Sequence, residues 1–250
     1  MDKPIIAVQL YTLRDFCAKD FDGVLERVAG IGFRAVEFGG FHGRSPSDLR
    51  KTLDCCSLSA VSAHFGLDRL RDDIEGVAGD ARLLGLRYVV CPWLDEDQRR
   101  SAADYRDVAR ILQKAGERIR RDRLQLCHHH HAFEFETFDG KTGLEWLRDE
   151  TDAETVKFQI DTYWVNAGGA DPAAWIRKLG GRCAMVHLKD RAKDGGFGEV
   201  GSGTLDFAAI FEAAKSAGVG VYIIEQDTCP RDPFDCLKTS LKFLKDQGIA

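Results

Sequence analysis

At 250 residues, with 44% hydrophobic and 30% charged side chains, the chain is long enough for one large core and too ordinary in composition for extended disorder. A formal net charge of −5 with no basic block counts against a nucleic-acid partner. No run approaches the roughly 20 apolar residues of a membrane span. The eight cysteines are scattered without a CxxC pair, so they read as free thiols in a reducing cytoplasm.

The first β-rich run, Ile5–Leu10, follows Pro4 directly, and no charged-then-apolar leader is expected ahead of it. Seven more follow, at Ala35–Phe38, Ala60–His64, Tyr88–Trp93, Leu124–His129, Val156–Asp161, Ala184–Leu188 and Val221–Glu225. Segments of helical period such as Phe21–Ala29 and Ala208–Ala217 lie between them. Ser45-Pro46, Asp171-Pro172 and Asp232-Pro233 mark helix starts, and Gly32, Gly85, Gly180 and Gly218 mark helix ends. The cluster Arg118, Arg120, Arg121 and Arg123 closes one helical pattern and reads as a solvated face. Strands alternating with helices imply parallel pairing, and units about 30 residues apart favour an α/β fold, a closed (β/α)8 TIM barrel spanning residues 1–250 as one domain. A dinucleotide-binding sheet would need GxGxxG after its first strand, where Gln9-Leu10-Tyr11-Thr12 stands instead. Gly195, Gly196, Gly198, Gly201 and Gly203 follow the seventh strand without a P-loop lysine, and are expected to form a flexible loop over the barrel mouth.

In such a barrel alternate residues point inward, and active sites sit at the strands' C-terminal ends. The last inward positions are Gln9, Glu37 and His64 on the first three strands, and Asp161, His187 and Glu225 on the last three. Ala7, Ala35 and Ser62 stand two residues earlier, so a narrow packed interior opens into a polar ring. A lone strand-end carboxylate is usually a cap, and a lone histidine a satisfied core residue. Two carboxylates and an imidazole at matching positions on adjacent strands are harder to explain that way, because like charges so close need a cation or protons between them. Oxygen and nitrogen donors without thiolates suit Mn²⁺, Mg²⁺ or Co²⁺ better than a structural Zn²⁺, with zinc a further candidate for the bound ion.

The segment from Cys127 to Phe135, CHHHHAFEF, is internal and continues a β run. Its parity puts Cys127, His129 and His131 on one face and His128 and His130 on the other. Four ring systems in a crowded place need partners, so at least one is expected to work in the site.

Together these stretches resemble the sugar-phosphate isomerase/epimerase superfamily, the xylose-isomerase-like barrels, over nearly the whole chain. VQLYTLRD and VEFGG are similar to its first two strands, SAHFGLD to its third-strand histidine motif and HHHHAFEF to its YHNHxFEF motif. QIDTYW, HLKD, EVGSGTLDF and IIEQD resemble the sixth strand, the seventh with its loop, and the eighth. The resemblance implies a divalent metal on Asp161, His187 and Glu225, with a fourth ligand from strand five. Glu134, the acidic member of the motif, is the expected fourth ligand, and His129 its competitor.

The chemistry that follows is proton abstraction beside a carbonyl, giving isomerisation or epimerisation of a sugar or polyol through an enediolate. Glu134 or Glu225 is the expected base. Lys189 is placed to stabilise the oxyanion, or else to pair with Asp190 or Glu199. His64, Glu37, Trp93, His129 and His131 are candidate substrate contacts. A lyase or dehydratase on a ketosugar or keto-inositol shares the first step and is the nearest rival. An endonuclease-IV-like nuclease and a non-catalytic sugar-binding module stand further off. No phosphate cradle is visible, and self-association into a homo-oligomer is left open.

Overall fold

In the computed structural model, which describes residues 3–250, eight parallel strands close on themselves in sequence order. They are β1 (Ile5–Gln9), β2 (Ala35–Phe38), β3 (Ser59–His64), β4 (Tyr88–Cys91), β5 (Gln125–His129), β6 (Val156–Asp161), β7 (Cys183–Leu188) and β8 (Val221–Ile224). Each predicted run is found, with ends moved by two residues at most. The largest shift is at β4, which stops before Pro92, a residue with no N–H to give the ladder.

The predicted helix starts carry their caps: Ser45 Oγ accepts from Asp48 N at 3.1 Å, Asp171 Oδ1 from Ala173 N at 3.0 Å, and Asp232 Oδ1 from Phe234 N at 2.8 Å. Gly32, Gly85 and Gly218 end their helices in the left-handed conformation. Gly180 instead leads into a further 3-10 turn, Gly180–Arg182. Within the arginine cluster, Arg118 is tied into surface ion pairs with Glu75 and Asp122. Among the described residues no helix is long and apolar enough to cross a membrane, and all eight cysteines are free.

Most apolar burial lies between the sheet and its jacket of helices. Inside the barrel is a thinner plug of Ala7, Ala35, Val61, Val90, Cys127, Met185, Val221 and Ile223. Register slips between Val36 and Glu37, which leaves Val61 unpaired on β3. That bulge lets Val61 join the plug while Ser62 still reaches Glu37. Small side chains at the bottom leave width above them, and the polar layer fills it.

Candidate active site

The floor of the site is organised by Glu37, which is fully buried. Its Oε1 accepts from Gln9 Nε2 at 2.7 Å and meets His187 Nε2 at 2.5 Å. Its Oε2 accepts from Ser62 Oγ at 2.5 Å and Gln159 Nε2 at 2.7 Å. His64 Nε2 stands 3.2 Å away. Burial alone would raise this carboxyl, but His187 and His64 beside it hold it well below the usual range. Expected to touch substrate, Glu37 is instead a hub beneath the cavity with both oxygens engaged.

Above it, His187 Nδ1 lies 2.8 Å from Glu225 Oε2 and 3.9 Å from Asp161 Oδ2. Burial opposes its charge, yet Glu37 and Glu225 raise its pKa to about 10. Lys189 Nζ sits among three carboxylates, 2.8 Å from Glu225, 2.8 Å from Asp227 and 3.2 Å from Asp161. Neither Asp190 nor Glu199, its sequence-expected partners, takes that role. Burial raises Asp161 despite Lys189, and burial with Glu225 nearby raises Asp227. Glu225 would be raised by burial too, but Lys189 and His187 hold it down. The Oδ1 of Asp161 caps the short helix Thr162–Ala167 by accepting Trp164 N–H at 3.0 Å, which leaves Oδ2 facing the cluster.

Two groups have ligand atoms spaced to hold a metal ion, each within 4.8 Å: His129, Asp161 and His187, and Glu37, His64 and His187. The first fits better. A ring nitrogen of His129 is buried without a partner and Asp161 Oδ2 accepts no hydrogen bond, meeting the Lys189 ammonium as an ion pair at 3.2 Å, whereas Glu37 has its oxygens filled. Burial also keeps His129 well below its usual pKa, and so neutral and able to donate a lone pair. His187 would present Nδ1 while Glu37 holds Nε2, the arrangement by which an outer carboxylate orients a ligating imidazole.

The histidine run divides as its parity requires. Cys127 enters the plug, and His129 and His131 line the cavity. His130, fully buried, receives the Asp161 N–H on Nε2 at 3.1 Å, so its proton is on Nδ1, 3.3 Å from the His131 carbonyl. The β5–β6 ladder ends at His129↔Gln159, and this side chain supplies the partner that Asp161 N–H lacks. Glu134 departs from the expectation that it would ligate or act as base. Its Oε1 meets His128 Nε2 at 3.0 Å and its Oε2 accepts the His131 N–H at 2.7 Å, capping the turn Ala132–Phe135. That puts the carboxylate behind His131, outside both ligand groups. The x-x-E spacing after His131 is that of a capping box, a signal present in the sequence.

A cavity of about 470 Å³ opens over this cluster. His64, Trp93, His129, His131, Lys189 and Glu225 line it, as do Tyr11, Phe133, Trp164 and Asp227, which the sequence reading had not singled out. Asp227 was legible: it stands two residues beyond Glu225, on the same face. The glycine segment beside the mouth is tied down rather than loose. Asp190–Arg191 pairs antiparallel with Phe197–Gly198, and the Asp190 carboxylate accepts from Gly201, Gly203 and Leu205 N–H at 3.0, 2.8 and 3.2 Å. A Cβ on Gly203 would run into the Arg191 carbonyl and that carboxylate. Gly203→Ala is therefore expected to cost about 1–3 kcal/mol, read as a lower urea midpoint at unchanged slope; an unchanged midpoint would mean the clasp is dispensable.

Residues 25–247 match the family model of the xylose isomerase-like TIM barrel. Inosose dehydratase of Lacticaseibacillus casei is 22% identical over 265 residues, covering 90% of this chain and 88% of that protein. A sugar phosphate isomerase/epimerase from Parabacteroides distasonis superposes with a TM-score of 0.88 at 22% identity, covering 100% and 96% of the two chains. The IolI protein, solved with a zinc atom bound, superposes with a TM-score of 0.76 at 14% identity, covering 98% and 97%. With a closed eight-stranded barrel and a family match over most of its length, the chain belongs to the xylose isomerase-like TIM barrel family.

Proposed function

We propose that this protein is a divalent-metal-dependent enzyme that removes a proton beside the carbonyl of a ketosugar or cyclitol ketone and then expels water, a lyase rather than an epimerase. The observation that carries the choice is the position of Glu134. Returning a proton to the opposite face needs an acid or base on each side of the substrate carbon, and the expected strand-five carboxylate is committed to the His131 cap. His129, a neutral imidazole, stands in its place. The anionic and ammonium groups gather on the other side, in Glu225, Asp227 and Lys189.

Asp161, His187, Glu225 and His129 are the proposed metal holders. A bound cation would supply Lewis-acid polarisation of the substrate's carbonyl and neighbouring hydroxyl oxygens. Two imidazoles with two carboxylates suit Mn²⁺, Co²⁺ or Zn²⁺ better than Mg²⁺. In the proposed reaction the free oxygen of Glu225 takes the carbon-bound proton. Lys189, hydrogen-bonded within the carboxylate group, donates a proton to the hydroxyl on the next carbon as its C–O bond breaks, so water leaves and a double bond remains. Trp164 walls the cavity beside His131. The dehydratase name of the curated relative supports the same reading.

Isomerisation or epimerisation is the second reading, supported by the name of the Parabacteroides distasonis protein. Proton NMR separates the two. Metal-loaded protein is incubated in D₂O with ketoses and keto-inositols. Loss of the signal beside the carbonyl with appearance of an unsaturated or dione product supports the lyase. Deuterated epimer or isomer supports the second reading, and neither product nor incorporation with any of them rejects both.

A further inference from the structure

Among the described residues only three large hydrophobic side chains are exposed: Tyr11 at 45%, Trp93 at 46% and Leu83 at 53%. Leu83 lies on the outer helix Ile74–Leu84, but the other two both line the candidate cavity. An aromatic ring left in water forgoes a large burial term, so two at one mouth mark a surface awaiting an apolar partner. They are also held in place. The Arg14 guanidinium lies 4.5 Å from the Tyr11 ring centroid and donates to the Tyr11 and Asp227 carbonyls at 3.1 and 3.0 Å. Trp93 packs edge-on against His131 at 4.8 Å and Phe133 at 5.1 Å, and Arg99 lies 3.9 Å over Phe133. Gly39 makes room for the first ring, since a Cβ there would lie 3.1 Å from Tyr11 Cβ.

A second hollow of about 440 Å³, edged by Arg14, Asp15 and His42, shares Tyr11 and Gly39 with the first. Within the first cavity, His129, Lys189, Glu225 and Asp227 form a polar floor that suits a sugar ring. From there a substituent would pass over aromatic faces toward the second hollow.

We infer that the substrate is a two-part molecule, a keto sugar carrying a planar aromatic aglycone, with the sugar on the polar floor and the aglycone against Tyr11 and Trp93. This rests on the proposed chemistry and narrows its substrate class. A glycoside has no free anomeric carbonyl, so its ketone would lie at C2 or C4, where the carbon beyond the abstracted proton still bears a hydroxyl to expel.

Calorimetric titration of metal-loaded protein with the phenyl and methyl glycosides of one 4-ketohexose tests it. The phenyl compound is expected to bind at least about tenfold tighter, as stacking on two rings allows. That ratio should fall to about twofold in Tyr11→Ala and in Trp93→Ala, and survive in Tyr11→Phe, which keeps the ring. Equal affinities in the wild type, no binding of either glycoside, or a ratio indifferent to both alanine variants would overturn the inference. So would sedimentation showing that either alanine variant dissociates a dimer, because a second copy would then cover the rings. The proposed chemistry is judged separately, by the dehydration of aglycone-free keto-inositols, so a failure of one is not mistaken for a failure of the other.

Discussion

Asp161→Asn is expected to purify folded with its divalent-metal affinity lowered by more than the roughly 10–100-fold that losing an outer hydrogen bond costs a metal site. The amide keeps an oxygen to cap Trp164 N–H, so the short helix Thr162–Ala167 stays anchored and the lost property is the charge at Oδ2. Asp161→Ala loses the cap as well and should add about 1 kcal/mol of destabilisation. Metal analysis by mass spectrometry, with a thermal melt on the same sample, separates the two effects. Glu134→Gln is the contrasting variant, since its carboxylate faces His128 and the His131 N–H. Its metal content should stay within about twofold of the parent, whereas second-rank outer contacts that matter cost tenfold or more. A loss as deep as that of Asp161→Asn would restore Glu134 as a ligand.

Glu37→Gln should be the most damaging single-atom exchange in the barrel. Gln9 Nε2, Gln159 Nε2 and Ser62 Oγ all donate to this carboxylate, and His187 Nε2 lies against it. A glutamine must turn its NH₂ toward some of these donors. Gln9 is not free to flip in compensation, because its Oε1 already accepts Tyr11 N–H at 3.1 Å. Breaking a buried charge pair on one side costs about 3–5 kcal/mol. The guanidinium midpoint should fall accordingly, and metal affinity should fall with it, about 10–100-fold, as His187 loses its orienting partner. A variant of parental stability and affinity would show that Glu37 carries no charge in the folded protein.

The contrast between these two carboxylates shows what the sequence can and cannot carry. Strand positions were legible because short β-rich runs recur at barrel spacing between capped helices. Inward or outward facing was legible because strand parity is fixed, and it brought Asp161, His187 and Glu225 to one place with Oδ2, Nδ1 and Oε2 on common neighbours. Depth was not legible. Gln9 pairs with Glu37, and Glu37 with Ser62, a layer under His64, and which layer a residue joins depends on stagger between strands. Parity also stops where a strand stops. Beyond His129 the chain enters the turn Ala132–Phe135, and Glu134 follows capping geometry instead of the alternation before it. Tyr11, at the other rim, lies in a 3-10 turn with no period to read.

The four consecutive histidines have a consequence for how this strand can change over time. His129 and His131 face the cavity while His128 and His130 support Glu134 and the Asp161 backbone from behind. Point substitutions alter one of these roles at a time. Adding or deleting one residue after Cys127 would exchange the two pairs at once, turning the supporting rings into the cavity and the lining rings into the jacket of helices. Variation in length is therefore barred from this stretch, and inserted residues are tolerated only in connections that carry no such alternation.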